Sequence, residues 1–494
     1  MLTRRHFLIG SAALAGLPAG CGPQFSALRG SIVVNDLHSQ LNLTAVDRIV
    51  APDTVGALQK AIGEARQEGR AISITGGRHA MGGQQFGTGT VLVDMTAMSR
   101  VLRFDAERGT IEVEAGIHWP QLIEFLVRAQ VGRRQQWGIV QKQTGADRLS
   151  IGGALSANVH GRGLRLKPFI ADVESFVLVD AQGDACRCDR RENPELFRLA
   201  IGGYGLFGII ASVTLRLAPR RRLERVVEVI EVDRLTSAFE RRIADGFLFG
   251  DFQYATDERS DDFLRKGVFS CYRPLPDDAA MPEEQKELSI EDWNRLLLLS
   301  HTDKGRAFQE YAGYYLSTSG QRYWSDTHQL SVYITHYHQW LDRRLGATEK
   351  ATEMITEIYV PRPALATFLK QVRADFRENQ VNVIYGTIRL IEREDESFLA
   401  WAKQAYACVI FNLHVVHSPQ GLEKAGGDFR RLIDLGIRHG GSYYLTYHRF
   451  ATRQQVEACY PQFPEFLRLK RRYDPEERFQ SDWYRHHRAM FLPG

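Results

Sequence analysis

Cysteine, net charge and long apolar runs are all scarce in this 494-residue chain. Apart from Cys21 near the N-terminus, its cysteines are Cys186, Cys188, Cys271, Cys408 and Cys459. Five scattered thiols in a chain large enough to bury its own core exclude a disulfide framework. Cys186-x-Cys188 has neither zinc-knuckle spacing nor a companion pair, so all five read as structural. The formal charge is +4, from 63 basic and 59 acidic residues, which is too small to imply nucleic acid or another polyanion as partner. The run Arg220-Arg221-Arg222 after Pro219 reads as a solvated linker. One N-terminal apolar stretch, residues 9–19, is too short to span a bilayer. With 44% hydrophobic and 25% charged residues the chain has an ordinary globular composition. Its length suits two or three domains, or one domain with a large insertion.

Glycine is what the chain has in local excess. Ser73-Ile74-Thr75-Gly76-Gly77-Arg78-His79-Ala80-Met81-Gly82-Gly83-Gln84 follows an apolar-alternating strand. Such a loop lets main-chain N–H groups approach a ligand and forms a concavity suited to an anion. A second cluster spans Thr144-Gly145 and Ser150-Ile151-Gly152-Gly153-Ala154-Leu155-Ser156-Ala157-Asn158-Val159-His160-Gly161. The third is Gly202-Gly203-Tyr204-Gly205-Leu206-Phe207-Gly208, running into an alternating strand over residues 209–217. Gly203-x-Gly205-x-x-Gly208 matches the dinucleotide fingerprint, which needs a strand before it and a helix after. Here a helix precedes, from Asn193 to Ala200, and a strand follows, which argues against a nicotinamide Rossmann site.

Elsewhere, residues 23–45 carry few signals and read as a surface wrap. Asp53 is the expected cap of a helix bearing Val55, Leu58, Ile62 and Ala65. Residues 221–430 hold few glycines, many aromatics and alternating strands at 356–360, 381–391 and 408–416, the texture of an antiparallel sheet. Tyr385, Thr387 and Arg389 fall on one polar face, and Asn412 and His414 on another; a solvated outer face explains either equally well. His336-x-His338 lacks a third ligand, so no metal site is expected. Thr3-Arg4-Arg5-His6-Phe7-Leu8 before the apolar stretch is similar to a twin-arginine export signal, placing the protein in the periplasm or cell envelope. Cys21 stands where a lipoprotein would be cleaved, but Pro18 disfavours an anchor there. Any membrane association would run through these segments.

Three such clusters, each expected at a strand end, resemble the vanillyl-alcohol-oxidase or PCMH-type flavoproteins. The first loop sides with the aldonolactone and alditol oxidases. Gly440-Gly441-Ser442-Tyr443-Tyr444-Leu445-Thr446-Tyr447 with Asp474-Pro475-Glu476-Glu477-Arg478-Phe479 resembles the tail of decaprenylphosphoryl-ribose oxidases. The resemblance implies an α+β fold: an FAD-binding domain of two α+β subdomains (45–220), an antiparallel-sheet cap (221–430), and a tail (431–494) completing the FAD site, after a signal at 1–22. It implies FAD held by Thr75, Gly76, Gly77, Arg78, His79, Ala80, Met81, Thr144, Gly152, Gly153, Ser156, His160, Gly161, Gly208 and Ile210. His79 matches the histidine that some members bond to the flavin; residues 141–163 lack the cysteine needed for a second bond. The implied activity is oxidation of an alcohol or sugar-like hydroxyl by hydride transfer to flavin N5, with oxygen or another compound as electron acceptor. Tyr447, Arg389, Asn412 and His414 are the catalytic candidates. Tyr447 replaces the lysine of the ribose oxidases, which leaves open a non-catalytic flavin- or ligand-binding protein of the same fold.

Overall fold

Thr54, not Asp53, starts the first helix: its hydroxyl accepts from Ala57 N at 3.2 Å and caps Val55–Gln67. In the computed structural model, which describes residues 32–492 except Thr335, that helix buries Leu58, Ala61, Ile62 and Ala65. It connects Arg48–Val50 to Ile72–Thr75, and both strands pair in parallel with Val91–Asp94. The segment before it is more ordered than a surface wrap. Ile32–Val34 pairs with Thr44–Val46, and the loop between them closes on buried Asp36, whose Oδ1 accepts from the main chain of His38, Ser39 and Gln40. The export-signal and Cys21 expectations lie outside the described residues.

A second, antiparallel sheet runs in the order Ala185–Asp189, Val173–Val179, Ile209–Pro219, Thr110–Glu114, Val101–Asp105, with Trp137–Ile139 on the far end of Ile209–Pro219. The second glycine cluster is not a strand end. Ser150 accepts from Gly153 N and caps a short helix, Ile151–Ala157, which Asn158 ends in the left-handed region. Helix Pro194–Ala200 precedes the third cluster and strand Ile209–Pro219 follows it.

The third sheet has eight antiparallel strands: Arg322–Trp324, Arg222–Glu231, Lys266–Pro274, Phe249–Tyr254, Val383–Ile391, Tyr406–Val416, Ala351–Pro361 and Ser442–Tyr443. Its alternation separates two faces. Met354, Ile358, Val360, Val409, Phe411 and Leu413 join one hydrophobic core with helices Leu365–Glu378 and Pro419–Arg438. The latter helix runs unbroken across position 430, where a boundary was expected. The other face carries Glu353, Glu357, Tyr359, Cys408, Asn412, His414, Tyr385, Thr387 and Arg389. It is no solvated surface: Glu353, Glu357, Thr387 and Arg389 are all buried. Nor is 220–222 a solvated linker. Arg220 pairs with fully buried Asp326 at 2.8 Å and stacks on Trp324, because Arg222–Glu231 is an inner strand there.

The tail returns to the parallel sheet. Phe479 bridges Ile72 in parallel, with Ile72 N donating to Arg478 O at 2.7 Å and Gln480 N to Ile72 O at 2.8 Å. Asp474 holds this return: it pairs with buried Lys470 and accepts from Arg478 N and Phe479 N, each at 2.8 Å. Among the described residues no helix is long and apolar enough to cross a membrane. Removing one partner of a buried ion pair strands the other charge, at about 3–5 kcal/mol. Asp474→Ala should therefore lower the unfolding free energy obtained from urea titration by that much, whereas Arg468→Ala, whose pair with Glu465 is exposed, should barely change it.

Candidate functional site

The three glycine clusters meet. A Cβ on Gly77 would lie 2.1 Å from Arg148 O, so the first loop can press onto 148–150 only as glycine. Tyr204 N donates to Ser156 O and Gly202 N to Leu155 O, which docks the third cluster on the second. The tail closes the group: Gly82 N donates to Thr446 O at 3.2 Å, Gln84 Nε2 to Leu445 O at 2.9 Å, and Tyr204 OH lies 3.2 Å from Thr446 Oγ1.

Along this seam Thr75 Oγ1, His79 Nε2, Gln85 Oε1, His118 Nε2 and Thr144 Oγ1 are buried without a hydrogen-bond partner. Buried polar atoms are rarely left so, and five in one seam fit a large polar ligand. Burial above all, then the positive fields of His38, His118 and Arg148, lowers the His79 pKa to about 3. Its ring is therefore neutral near neutral pH, with Tyr333 edge-on at 5.6 Å.

Other candidates of the first loop hold the loop itself. Arg78, in the left-handed region, pairs with Asp94 at 3.1 Å, so its guanidinium is committed within the protein. The carbonyls of Ala80 and Met81 accept from Gln85 and Asn42. Gly152 and Gly153 lie in helix Ile151–Ala157, where a Cβ on Gly152 would meet Ala115 at 2.8 Å. Gly208, at φ 148°, packs against Leu178 and Val179, and Ile210 is core beside it.

His160 and Gly161 lead from the second cluster to the polar sheet face, Gly161 N donating to Gln141 Oε1. His160 Nε2 lies 2.9 Å from Glu357 Oε2. Tyr359 OH donates to the same oxygen at 2.7 Å, and Tyr447 OH to Glu357 Oε1 at 2.8 Å. Burial pushes the Glu357 carboxyl up, but the charge and hydrogen bond of His160, with those of Tyr359 and Tyr447, outweigh it and hold the group at about 2. Burial, then the Glu357 charge, raises the Tyr447 phenol well above its ordinary range, so it stays a donor. The Cys408 thiol, 3.9 Å from His160, is likewise kept protonated by burial and makes a poor metal ligand.

Of the four catalytic candidates, only Tyr447 touches this carboxylate. Arg389 is Cys408's neighbour across the strands, and Asn412, opposite Tyr385, lies two rows further along the same face. Arg389 Nε, Asn412 Oδ1 and Thr387 Oγ1 are buried without partners. His414 is elsewhere, opposite Glu353. Glu353 and Glu357 went unnoticed in the sequence. The available signal was two carboxylates on one face of a strand whose other face is apolar.

Residues 46–189 match the family described as "FAD binding domain". The chain carries an FAD-binding domain and is an FAD-dependent oxidoreductase. L-gulono-1,4-lactone dehydrogenase of Mycobacterium tuberculosis (strain ATCC 25618 / H37Rv) is 24% identical to it over 452 residues, 89% of this chain and 96% of that one. L-gulonolactone oxidase of Mus musculus is 21% identical over 457 residues, 87% and 93% of the two chains. L-galactono-1,4-lactone dehydrogenase 1, mitochondrial, of Oryza sativa subsp. japonica is 28% identical over 216 residues, covering 43% and 36%. None of these names supports the tail's resemblance to decaprenylphosphoryl-ribose oxidases.

A carboxyl held below its ordinary 4.5 stabilises the fold above that pH, and the contribution fades as pH falls toward the folded value. The destabilisation caused by Glu357→Gln in this oxidoreductase should be largest above about pH 4.5 and shrink toward about pH 2. Denaturant midpoints of both proteins across that range check this; a pH-independent difference would contradict the assigned charge.

Proposed function

We propose that the enzyme oxidises a hydroxyl-bearing carbon of a sugar-derived lactone or polyol, using FAD carried on His79. The observation that carries this reading is the shared carboxylate of Glu357, bonded to His160 at the end of the second cluster and to Tyr447 of the tail. It puts a hydrogen-bonding site between the FAD-binding half and the polar face of the eight-stranded sheet. The names of the relatives, lactone dehydrogenases and oxidases among them, support the substrate class.

Thr75, the loop 76–81 and Thr144 would hold the cofactor, their unpartnered hydroxyls and loop backbone suiting its phosphates and ring. When bound, FAD supplies the acceptor for two electrons and a hydride. Glu357, ionised at any ordinary pH, is a weak base. It acts by fixing Tyr447 and His160 in place. The Tyr447 oxygen, its proton committed to Glu357, keeps lone pairs to accept a hydrogen bond from a substrate hydroxyl. Arg389, Asn412 and Thr387 offer unpaired groups to a polyhydroxylated molecule, whose hydroxyls replace the water those groups would otherwise need.

Attachment through His79 is supported by the neutral, unpartnered ring in the first loop. Export by the twin-arginine route to the periplasm or envelope is supported by Arg4-Arg5 and the short apolar stretch behind them.

The purified protein should absorb near ~450 nm and bleach anaerobically with aldonolactones or polyols. A colourless folded protein, or one that no such compound bleaches, ends the proposal. Acid precipitation should leave flavin in the wild-type pellet and release it from His79→Ala. Export has a separate check: replacing Arg4 and Arg5 by lysine should shift the protein from the periplasmic to the cytoplasmic fraction, and unchanged fractionation would dismiss the signal.

A further inference from the structure

Four residues before Glu357, the same strand face carries a second buried carboxylate, Glu353. Four residues of strand place it about 13 Å away, outside the constellation around Tyr447. Two imidazoles converge on one of its oxygens. His414 Nδ1, from the adjacent strand Tyr406–Val416, lies 3.3 Å from Glu353 Oε1. His301 Nε2, from the last turn of helix Ile290–Thr302, lies 3.3 Å from that same atom.

These contacts are long for hydrogen bonds between an imidazolium and a carboxylate, which run to about 2.7–2.9 Å. The His301 Nε2 atom makes no hydrogen bond at all, although its side chain is only 3% exposed. By contrast, 3.3 Å suits the edge of a coordination tetrahedron. Two donors bonded to zinc at about 2.0–2.1 Å stand about 3.3 Å apart when the angle at the metal is tetrahedral. The three donor atoms lie within 4.8 Å of one another. Glu353 Oε2 is taken by the Tyr337 hydroxyl, which orients the carboxylate and leaves Oε1 for the histidines.

We propose that His301 Nε2, His414 Nδ1 and Glu353 Oε1 bind a divalent transition-metal cation of the zinc type. Two imidazoles and one carboxylate form a donor set zinc accepts, with a fourth position left for water or a ligand. The half-buried His414 gives the ion a way in. A cation there would also tie helix Ile290–Thr302, which packs chiefly on helix Lys304–Ser317 and lies half-buried, to the sheet. Apolar burial alone is a weak tether for such a helix, and a metal bond from its last turn to two inner strands is a strong one.

The full flavin-containing chain, stripped with a chelator, given a small excess of zinc chloride and desalted, should retain about one zinc per chain by elemental analysis. Its unfolding midpoint should rise over the stripped protein. Glu353→Gln and His301→Ala should each cut retained zinc at least about tenfold, with the flavin band as the check on folding. Cobalt chloride on the wild type is the second measurement, needing no variant to fold: it should produce a visible band to the red of the flavin. Zinc lost on desalting, zinc kept equally by both folded variants, or no cobalt band would each overturn the site and leave a simple histidine–carboxylate network.

Discussion

A carboxylate buried as deeply as Glu357 costs several kcal/mol unless its oxygens are met by donors. Here the donors come from three distant parts of the chain: His160 from the second glycine cluster, Tyr359 from the strand of Glu357 itself, and Tyr447 from the tail. His160 and Tyr359 meet one oxygen, and only Tyr447 of these three meets the other. The FAD-binding half, the sheet and the tail must therefore close together, or Glu357 is left as a buried charge without partners. The arrangement that makes a site also penalises a half-assembled chain.

The same logic extends across the sheet. One face buries its apolar side chains against two long helices, at about 25 cal/mol per Å² of surface removed from water. The opposite face is exposed at Tyr385 but buried at Glu353, Glu357, Thr387 and Arg389, and is lined with carboxylates, hydroxyls, an amide and a guanidinium. Burying such a face is unfavourable for the bare protein, because Thr387, Arg389 and Asn412 are left without partners. A ligand rich in hydroxyl groups would remove that penalty, which is the physical basis of the proposed preference for polyhydroxylated compounds. An apolar alcohol would leave the same atoms unmet.

What was legible in the sequence is what is local. Glycine clusters at fixed positions, the inverted helix–strand order around Gly203–Gly208, and the alternation in strands such as Ile209–Pro219 and Tyr406–Val416 depend on neighbours a few residues away. Near misses arose where two local solutions compete. Thr54 and Asp53 can each cap a helix, and Ser150-Ile151-Gly152-Gly153 makes a capped helical turn as readily as a loop at a strand end. The Glu357 constellation was illegible for another reason. Its contacts join residues 197 and 90 positions apart, and nothing in the periodicity of residues 351–361 says which face meets the protein and which meets water.

Arg220 shows how far composition can mislead about that distinction. Three consecutive arginines look solvated, yet the first is enclosed with Asp326 and Trp324 because the next strand pairs on both sides. The same sheet geometry ranks its two buried glutamates. Alternation sets Glu353 and Glu357 on one face, and the strand's rise spaces them by about 13 Å. Glu357 falls under His160 and the tail, Glu353 under the helix that carries His301. A one-residue slip of Ala351–Pro361 would turn both carboxylates into the apolar core. The long run of pairing with Tyr406–Val416 therefore does more than hold the sheet together: it decides which chemistry each glutamate meets.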